Sequence, residues 1–355
     1  MRTVLMTVAV GSLAAASLSA CSSTGTAGTG GTGAKSPAMA LSAGVQKLSD
    51  GKSASFELSL KPDAALIAAM NKDSSASDAT VVKKVFGGGG VDLKITTSAD
   101  KPLKDVKAGD TANAEIDLKA GGTDYVDIRY VGGALYAKVG VKDALTLAGM
   151  PMSTVTDELS AGKLPPELDG PAQALVNGNW VGVNAADMKS LTQLAGSLGG
   201  GDLTATPSAP NQMQLTQIGS NLITALTKDA TITDKGSGKL EVSGKVKTIA
   251  QDLVQAYEPL VGSLPGQSKT DFTKLKDSLA GIPDSQNITF DVWLANGALT
   301  ELQIDLAQFL PAADSGGGHF PLDMKISQSA SAVTAPSGPT MIDVKKVISA
   351  FTSGM

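Results

Sequence analysis

The sequence predicts an α+β protein in which helices cover the apolar face of one antiparallel sheet. Three features of the 355 residues support this prediction. Short segments alternate apolar and polar side chains, glycine-containing pairs separate several of these segments, and the middle of the chain carries apolar residues at helical spacing. A sheet that is apolar on one face only must bury that face against another layer.

The first part of the folded region is predicted to be a meander of strands with two short helices. "LSAGVQKLSDGK" indicates a helix that ends at Gly51, and Pro62 opens an alanine-rich helix. Gly132-Gly133 fits a tight hairpin turn. The predicted strands are "SASFELSL", "VDLKITT", "NAEIDLKA", "TDYVDIRY" and "ALYAKV".

The middle of the chain is predicted to supply the covering helices, and the end returns to strands. Helical spacing occurs in "NAADMKSLTQLAGSL", capped by Asn184, and in "NQMQLTQIGSNLITALTK", "TIAQDLVQAYEPL" and "TDFTKLKDSLAG". Further strands are predicted at "NWVGVN", "KLEVSGKVK", "NITFDVWL", "LTELQIDL" and "PLDMKIS". Asn296-Gly297 is a hairpin signal, and Asp343 is predicted to cap a last helix.

The N-terminus has the layout of a bacterial export signal. Arg2 precedes an apolar run that ends in Leu18-Ser19-Ala20-Cys21, which resembles the lipobox of bacterial lipoproteins. The resemblance implies that residues 1–20 are removed and that the Cys21 thiol carries a diacylglycerol thioether. A signal-anchor helix or a chance cysteine is the alternative.

The residues after Cys21 are typical of a flexible tether. Residues 21–38 are rich in Gly, Ser and Thr, and the sixteen residues from Ser22 to Pro37 span roughly 20–25 Å. Gly28, Gly30 and Gly33 match a dinucleotide fingerprint, but that motif needs a preceding strand and a following helix, whereas these glycines lie in a tether just after the predicted lipidation site. No linker-like composition separates two self-sufficient halves after the tether, so residues 39–355 are predicted to form a single α+β domain, and a two-domain repeat is the alternative.

Composition argues against several classes of function. A single cysteine allows no disulfide framework and no cysteine-based metal cluster, and we predict no metal and no cofactor. The chain has two arginines and a net charge of −5, whereas phosphate and nucleic-acid recognition depends on arginine forks and positive fields. We therefore predict no nucleic-acid partner.

The sequence predicts no catalytic residues. His319, the only histidine, lies in the glycine-rich segment "SGGGHFPL", and no G-x-S-x-G elbow occurs. Asp124 and Asp127 could form the carboxylate pair of a glycoside hydrolase. They lie among other polar residues on strand faces that are predicted to point outward, which favours ordinary solvated carboxylates. A hydrolase that uses His319 and an acidic neighbour in a cleft is therefore a weak hypothesis.

Two C-terminal segments carry a resemblance to a known family. They are "FDVWLANGALTELQIDL", a tryptophan-bearing hairpin, and "MKISQSASAVTAPSGPTMIDV", a strand followed by an extended Ala-Pro segment. Together with the lipobox and tether, this order resembles the LppX/LprG lipoproteins of actinobacteria and, more distantly, the LolA/LolB fold. The resemblance implies an unclosed half-barrel whose concave face holds helices and an apolar cavity for acyl chains.

The sequence therefore predicts a lipid-anchored protein of the extracytoplasmic membrane face that binds a lipid or an acylated molecule. The membrane would be contacted through the lipid on Cys21, and an envelope protein is a further partner to consider. An interaction or sensor module with a filled core is the alternative, because a packed core would use the same residues. The predicted cavity wall comprises Val126, Ile128, Leu135, Phe290, Val292, Leu302 and Ile304.

Overall fold

The fold was analysed in a computed structural model of the whole chain. It describes residues 36–72, 76–106, 110, 112–160, 165–188, 229–261 and 266–353. Cys21, most of the tether and the predicted helix in "NQMQLTQIGSNLITALTK" lie outside the described residues. The described part of "NAADMKSLTQLAGSL" runs only to residue 188.

Strands occupy every segment for which the sequence predicts one. They are β1 (Ser53–Leu60), β2 (Val91–Ala99), β3 (Ala112–Ala120), β4 (Thr123–Val131), β5 (Ala134–Val139), β6 (Val181–Val183), β7 (Thr231–Gly236), β8 (Lys239–Lys245), β9 (Asn287–Ala295), β10 (Ala298–Asp305), β11 (Pro321–Ser327) and β12 (Thr340–Met341). The sequence analysis did not anticipate β7 or β12. The first is largely exposed and the second has only two residues, so neither shows clear alternation.

The helices lie before, between and after groups of strands. They are α1 (Pro37–Gln46), α2 (Ala64–Asn71), α3 (Ala76–Phe86), α4 (Val141–Ala148), α5 (Ser153–Ser160), α6 (Pro166–Val176), α7 (Val246–Val261), α8 (Gly266–Ser278), α9 (Ala312–Ser315) and α10 (Val344–Ser353). Single 3₁₀ turns occur at Lys47–Ser49, Leu103–Asp105, Leu279–Gly281 and Leu306–Phe309.

Side-chain caps fix several helix starts. The Leu66 backbone N–H donates to Asp63 Oδ1 at 2.8 Å, so α2 begins after Asp63, and Pro62 precedes the cap. The Lys346 N–H donates to Asp343 Oδ1 at 3.1 Å, and the predicted cap of α10 is confirmed. Asn184 Oδ1 likewise accepts from the Asp187 N–H at 2.9 Å.

All described strands belong to one sheet of twelve strands. Their order across the sheet is β12-β6-β5-β4-β3-β2-β1-β11-β10-β9-β8-β7. Neighbouring strands are antiparallel except β12 and β6, which are parallel. The sheet is unclosed, with β12 and β7 at its two ends, and this confirms the predicted α+β class and unclosed sheet.

The main hydrophobic core lies on one face of the β1 and β8–β11 part of the sheet. Val242 and Val292 are 0% and 1% exposed there, and Leu41 of α1 packs into the same cluster. The α1 helix approaches the sheet closely at Gly44, where an added Cβ would lie 2.7 Å from Leu294 Cδ2. The prediction that helices pack on the apolar face is therefore confirmed for α1.

The segment after β11 crosses the opposite, polar face of the sheet. Residues 328–339 run from β11 to β12 and pass behind the first strands. The Ser53 hydroxyl donates to the Ala330 carbonyl at 2.6 Å, and the Val333 N–H donates to the Ser98 hydroxyl at 3.0 Å. Val333 is 5% exposed, so this extended segment is part of the folded structure.

Candidate functional site

One apolar face runs without interruption across most of the sheet. Strand register brings Val126 opposite Leu118, then continues through Leu93, Leu58, Met324, Leu302 and Val292 to Leu240. A second row follows Ile128, Ile116, Ile95, Phe56 and Ile326. Because side chains alternate along a strand, all seven predicted wall residues lie on this one face.

The structure divides the seven predicted wall residues between two environments. Phe290 and Val292 are 5% and 1% exposed and belong to the main core, and Leu302 and Ile304 pack against that core. Their surroundings therefore match the filled core that the sequence left as an alternative. Val126, Ile128 and Leu135 lie on the other half of the sheet and are only half-buried.

We call this second half the open apolar face and define it by residues of β2–β5. Its members are Leu93, Ile95, Ile116, Leu118, Val126, Ile128, Tyr130 and Leu135. Ile116 is 40% exposed and Tyr130 is 42% exposed, although both point to the same side as the core residues. Large apolar side chains grouped at the surface in this way mark interaction or ligand sites more often than ordinary surface.

Two-residue turns hold the strands of the open apolar face in register. Gly121 and Gly122 join β3 to β4, and Gly132 and Gly133 join β4 to β5. All four glycines have positive φ angles between 57° and 84°, the backbone of a turn that matches the twist of paired strands. A one-residue slip would turn Ile128 to the polar face, so these turns fix which residues face outward.

The polar face behind β3–β6 is organised around Arg129. Its Nε lies 2.9 Å from Glu115 Oε1, and its Nη2 lies 3.1 Å from Asp127 Oδ2. The guanidinium also stacks on Trp180, with its carbon 4.8 Å from the ring centroid. Burial raises the pKa of Asp127, and Arg129 only partly offsets that effect.

Arg129 also contacts the crossing segment. Arg129 Nη1 donates to the Thr334 carbonyl at 3.5 Å, and Asn113 Nδ2 donates to the Val333 carbonyl at 3.2 Å. The Thr340 N–H donates to the Trp180 carbonyl at 2.8 Å, where β12 joins the sheet. Residues 328–339 therefore link the strands that carry the open apolar face to β11, through side-chain and backbone hydrogen bonds on the polar face.

His319 lines a cleft of about 460 Å³ whose walls combine polar side chains with Phe290 and Pro321. Its Nδ1 is 2.6 Å from Asp305 Oδ2, and its backbone N–H donates to Asp63 Oδ2 at 3.0 Å. The hydrogen bond to Asp305 and the charge of that carboxylate raise the pKa of His319, whose side chain is 72% exposed. The weak hydrolase hypothesis required such an acidic neighbour.

The two glutamine side chains of this cleft are both hydrogen-bonded. Gln308 Nε2 donates to the Thr289 carbonyl at 3.1 Å, and Gln303 Nε2 donates to Asp323 Oδ1 at 2.6 Å. In the described part of the chain, no serine, threonine or cysteine hydrogen-bonds to the imidazole. The cleft therefore offers a histidine–carboxylate pair without a neighbouring nucleophile.

Both tryptophans lie beside cations on the polar side of the sheet. The Lys239 Nζ is 5.0 Å from the Trp293 ring centroid, and Lys239 also pairs with Asp291 at 2.9 Å. These contacts explain why Trp293 occupies a polar position in an alternating strand.

Among the described helices, none is long and apolar enough to cross a membrane.

Several features of the site could not be read from sequence. The crossing segment reads as an extended Ala-Pro stretch, and nothing in it indicates which strands it contacts. Alternation also does not indicate that, in the described part of the chain, the apolar face is buried over β8–β10 whereas Ile116 and Tyr130 are exposed on β3 and β4, because both halves alternate in the same way. Helices α3 to α6 were not predicted, and their apolar patterns are short.

Comparison with known proteins returns a structural match but no sequence family. No family model matches the chain, and no curated protein matches it. A search of solved structures finds the lipoprotein LppX of Mycobacterium tuberculosis, with 11% sequence identity over 84% of this chain and 98% of that one. The TM-score is 0.30.

Proposed function

We propose that this protein is a lipid-anchored lipoprotein of the extracytoplasmic membrane face that binds the acyl chains of a lipid or acylated molecule. The observation that carries the proposal is the open apolar face. Ile116 and Tyr130 expose about two-fifths of their surface there, beside half-buried Val126 and Ile128. No enzymatic activity is part of the proposal.

The chemistry of the open apolar face suits a hydrocarbon chain. Its defining residues are aliphatic apart from Tyr130, and the charged residues of β3 and β4 lie on the opposite face. Four neighbouring strands at about 4.8 Å spacing make the face roughly 15 Å wide. Each methylene that leaves water for such a surface contributes about 0.8 kcal/mol.

The anchoring half of the proposal rests on the sequence before the described residues. A lipidated Cys21 followed by a polar tether would hold α1, which begins at Pro37, within a few nanometres of the bilayer. Two or three acyl chains on that cysteine would give stable membrane attachment, whereas one chain gives only reversible binding. A lipid ligand would then be close to its source.

A protein partner on the same face is the second candidate. Exposed Ile116 and Tyr130 suit a protein interface as well as a lipid, since interface cores are also rich in apolar and aromatic groups. This alternative corresponds to the tethered interaction module that the sequence left open. The two candidates differ in whether the isolated chain takes up lipid.

Lipid uptake from vesicles tests the proposal. The chain from residue 21 onward, carrying Cys21→Ser so that it has no lipid of its own, is incubated with phosphatidylcholine vesicles, separated from them and examined by native mass spectrometry. We expect a bound lipid, and Ile116→Asp should remove it because a carboxylate would enter the apolar face. Lys94→Asp, an exposed change on β2, is the matched control.

Two results would contradict the proposal. One is an unaltered chain that acquires no lipid. The other is an Ile116→Asp variant that acquires as much lipid as the Lys94→Asp control. Crosslinking to one envelope protein in intact cells, without lipid uptake, would favour the interaction module.

A further inference from the structure

Two aspartates face each other on the polar side of the β3–β4 pair. Asp117 of β3 lies directly opposite Asp127 of β4 in the strand register. Side chains at such positions have Cβ atoms about 4.5–5.5 Å apart, and like charges there destabilise the pairing. The row of charges that crosses the sheet at this level otherwise alternates in sign, since it runs through Glu57, Lys94, Asp117, Asp127 and Lys138.

Each of the two aspartates has one buried carboxylate oxygen without a hydrogen-bond partner. These atoms are Asp117 Oδ1 and Asp127 Oδ1, and the side chains are only 22% and 19% exposed. An ionised carboxylate only accepts hydrogen bonds, so two of them side by side cannot satisfy each other. A protonated carboxyl is also a donor, and a single proton would therefore give both oxygens a partner.

The cations beside the pair compensate its charge only in part. Arg129 Nη2 lies 3.1 Å from Asp127 Oδ2, and Lys119 Nζ lies 3.7 Å from Asp117 Oδ2. Each of these cations lies closer to a second carboxylate, at 2.9 Å for the arginine and 2.8 Å for the lysine. Burial raises the pKa of Asp127 against the effect of Arg129, and the charges of Glu115 and Asp117 act in the same direction as burial.

The flanking strands bring two further cations near the pair. Lys94 of β2 lies opposite Asp117, and Lys138 of β5 lies opposite Asp127. Among the described residues, the ion pairs of the two aspartates are nevertheless made by the arginine and the lysine of β3 and β4, and not by these outer lysines. The outer strands therefore do not remove the repulsion between the two carboxylates.

The elements packed around these strands add little net charge. Residues 328–339, which cross the polar face, contain no ionisable side chain. Helix α4 packs against β4 and carries one lysine and one aspartate, Lys142 and Asp143, whose charges cancel. The phenols of Tyr125 on β4 and Tyr136 on β5 are neutral until the pH approaches about 10.

We infer that Asp117 and Asp127 share one proton, which the folded protein takes up on acidification and which tightens the β3–β4 pair. The proton lies between the two Oδ1 atoms, so that one carboxyl donates and the other accepts. At higher pH both aspartates are ionised, and their repulsion loosens the two strands that carry Ile116 and Ile128 on the other face. The fold thus holds a pH-sensitive element behind the open apolar face, whatever that face binds.

This element should respond to pH with the opposite sign to an ordinary ion-paired aspartate. A carboxyl whose pKa is raised by folding contributes fully to stability below the ordinary value of 3.8, and the contribution is lost as pH rises through the raised value. Asp284 is the comparison, because it is 87% exposed and the hydrogen bond from Lys247 lowers its pKa. Its contribution is present at neutral pH and is lost on acidification.

Asparagine variants of the Cys21→Ser chain described above separate the two cases. Asp117→Asn removes one charge and offers a donor to Asp127, so the urea midpoint should rise at about pH 7 by roughly a few tenths of a molar. This gain should shrink as the pH is lowered toward 3.8, because the unaltered chain then takes up its proton. Asp284→Asn, the matched control, should lower the midpoint at about pH 7, and its loss should shrink on acidification.

The carboxyl titration is read directly by NMR of ¹³C-labelled aspartate, with Asp127 assigned from its own asparagine variant. Asp127 should titrate above 3.8 in the unaltered chain and at lower pH in Asp117→Asn. Titration at or below 3.8 in the unaltered chain, or no change in Asp117→Asn, would overturn the inference. A lower urea midpoint of Asp117→Asn at about pH 7 would also overturn it, because that is the result for a simple ion pair with Lys119. None of these outcomes bears on the proposed function, which lipid uptake tests separately.

Discussion

Arg129 lies directly opposite Glu115 across the β3–β4 pair, and its Nε is 2.9 Å from the glutamate Oε1. The next residue pair along the same two strands is Ile116 and Ile128, which lie opposite each other on the other face. One pair of strands therefore carries an ion-pair network on one side and the open apolar face on the other. The polar network fixes the strands that present the apolar residues.

We expect Arg129→Met to destabilise the fold. It would leave Glu115 and Asp127 without their cation, and both carboxylates are about four-fifths buried. Leaving a largely buried carboxylate without its hydrogen-bonding cation costs about 1–3 kcal/mol in the free energy of unfolding. Urea denaturation measures this change, and Lys276→Met is the control, because Lys276 and its partner Glu258 are both 53% exposed and the loss should stay below about 1 kcal/mol. Equal losses in the two variants would show that Arg129 has no special structural role.

The His319–Asp305 pair predicts a pH-dependent stabilisation. The pKa of His319 is raised from its ordinary value of 6.5, chiefly by the hydrogen bond to Asp305. A raised pKa in the folded state means that the contribution is complete below about pH 6.5 and is lost as pH rises through the higher value. Burial of Asp305 acts to raise the pKa of that carboxyl, but hydrogen bonds from His319 and two backbone N–H groups lower it below 3.8.

The comparison of His319→Asn with the unaltered chain checks this sign. The difference in urea midpoint should be larger at about pH 5.5 than at alkaline pH, because the stabilisation is lost as pH rises through the raised pKa of His319. His319 is exposed, so high salt should reduce the difference at the lower pH. A difference that grows with rising pH would contradict the charged pair.

The two halves of the apolar face should respond differently to truncation. Phe290→Ala removes a ring that is 5% exposed in the main core and should cost about 3–5 kcal/mol of unfolding free energy. Ile116→Ala removes a side chain that is 40% exposed and should cost less than about 1 kcal/mol while weakening lipid binding. Denaturation curves and lipid titrations on both variants test the division, and a large stability loss in Ile116→Ala would place this residue in the core instead.

Membrane attachment should depend on Cys21. When the full chain is expressed in a bacterium with a lipoprotein pathway, we expect the protein in the membrane fraction, with a mass increase from acylation on the peptide that begins at Cys21. The Cys21→Ser chain should lack the added mass and leave the membrane fraction after a salt wash. An unaltered chain that lacks lipid, or a Cys21→Ser chain that stays membrane-bound, would contradict the lipobox interpretation.

Strand alternation allowed most of the sheet to be predicted from sequence. Strands such as β3 and β4 have one polar and one apolar side over their whole length, and glycine pairs mark their ends. The order of the strands could not be obtained in this way, because β1 lies between β2 and β11, and the last of these is more than 250 residues away in the chain. Pairings over such separations depend on tertiary packing and leave no local pattern.

The site was predicted less completely than the sheet, for a related reason. Phe290 and Ile128 occupy equivalent positions in alternating strands. Among the described elements, α1 and the 3₁₀ turn at Leu103–Asp105 contribute side chains to the core that contains Phe290, and Ile128 is not part of that core. Alternation identifies the face, whereas the covering layer identifies the site.

Photocrosslinking of a bound acyl chain tests the central claim most directly. A palmitoyl lipid with a diazirine in its chain is loaded onto the Cys21→Ser protein from vesicles, irradiated, and the modified peptides are identified by mass spectrometry. The account predicts labels on β3 and β4, at Ile116, Val126 or Ile128, and their loss in Ile116→Asp. Labels confined to other elements, or no label above that of a non-binding control protein, would contradict it.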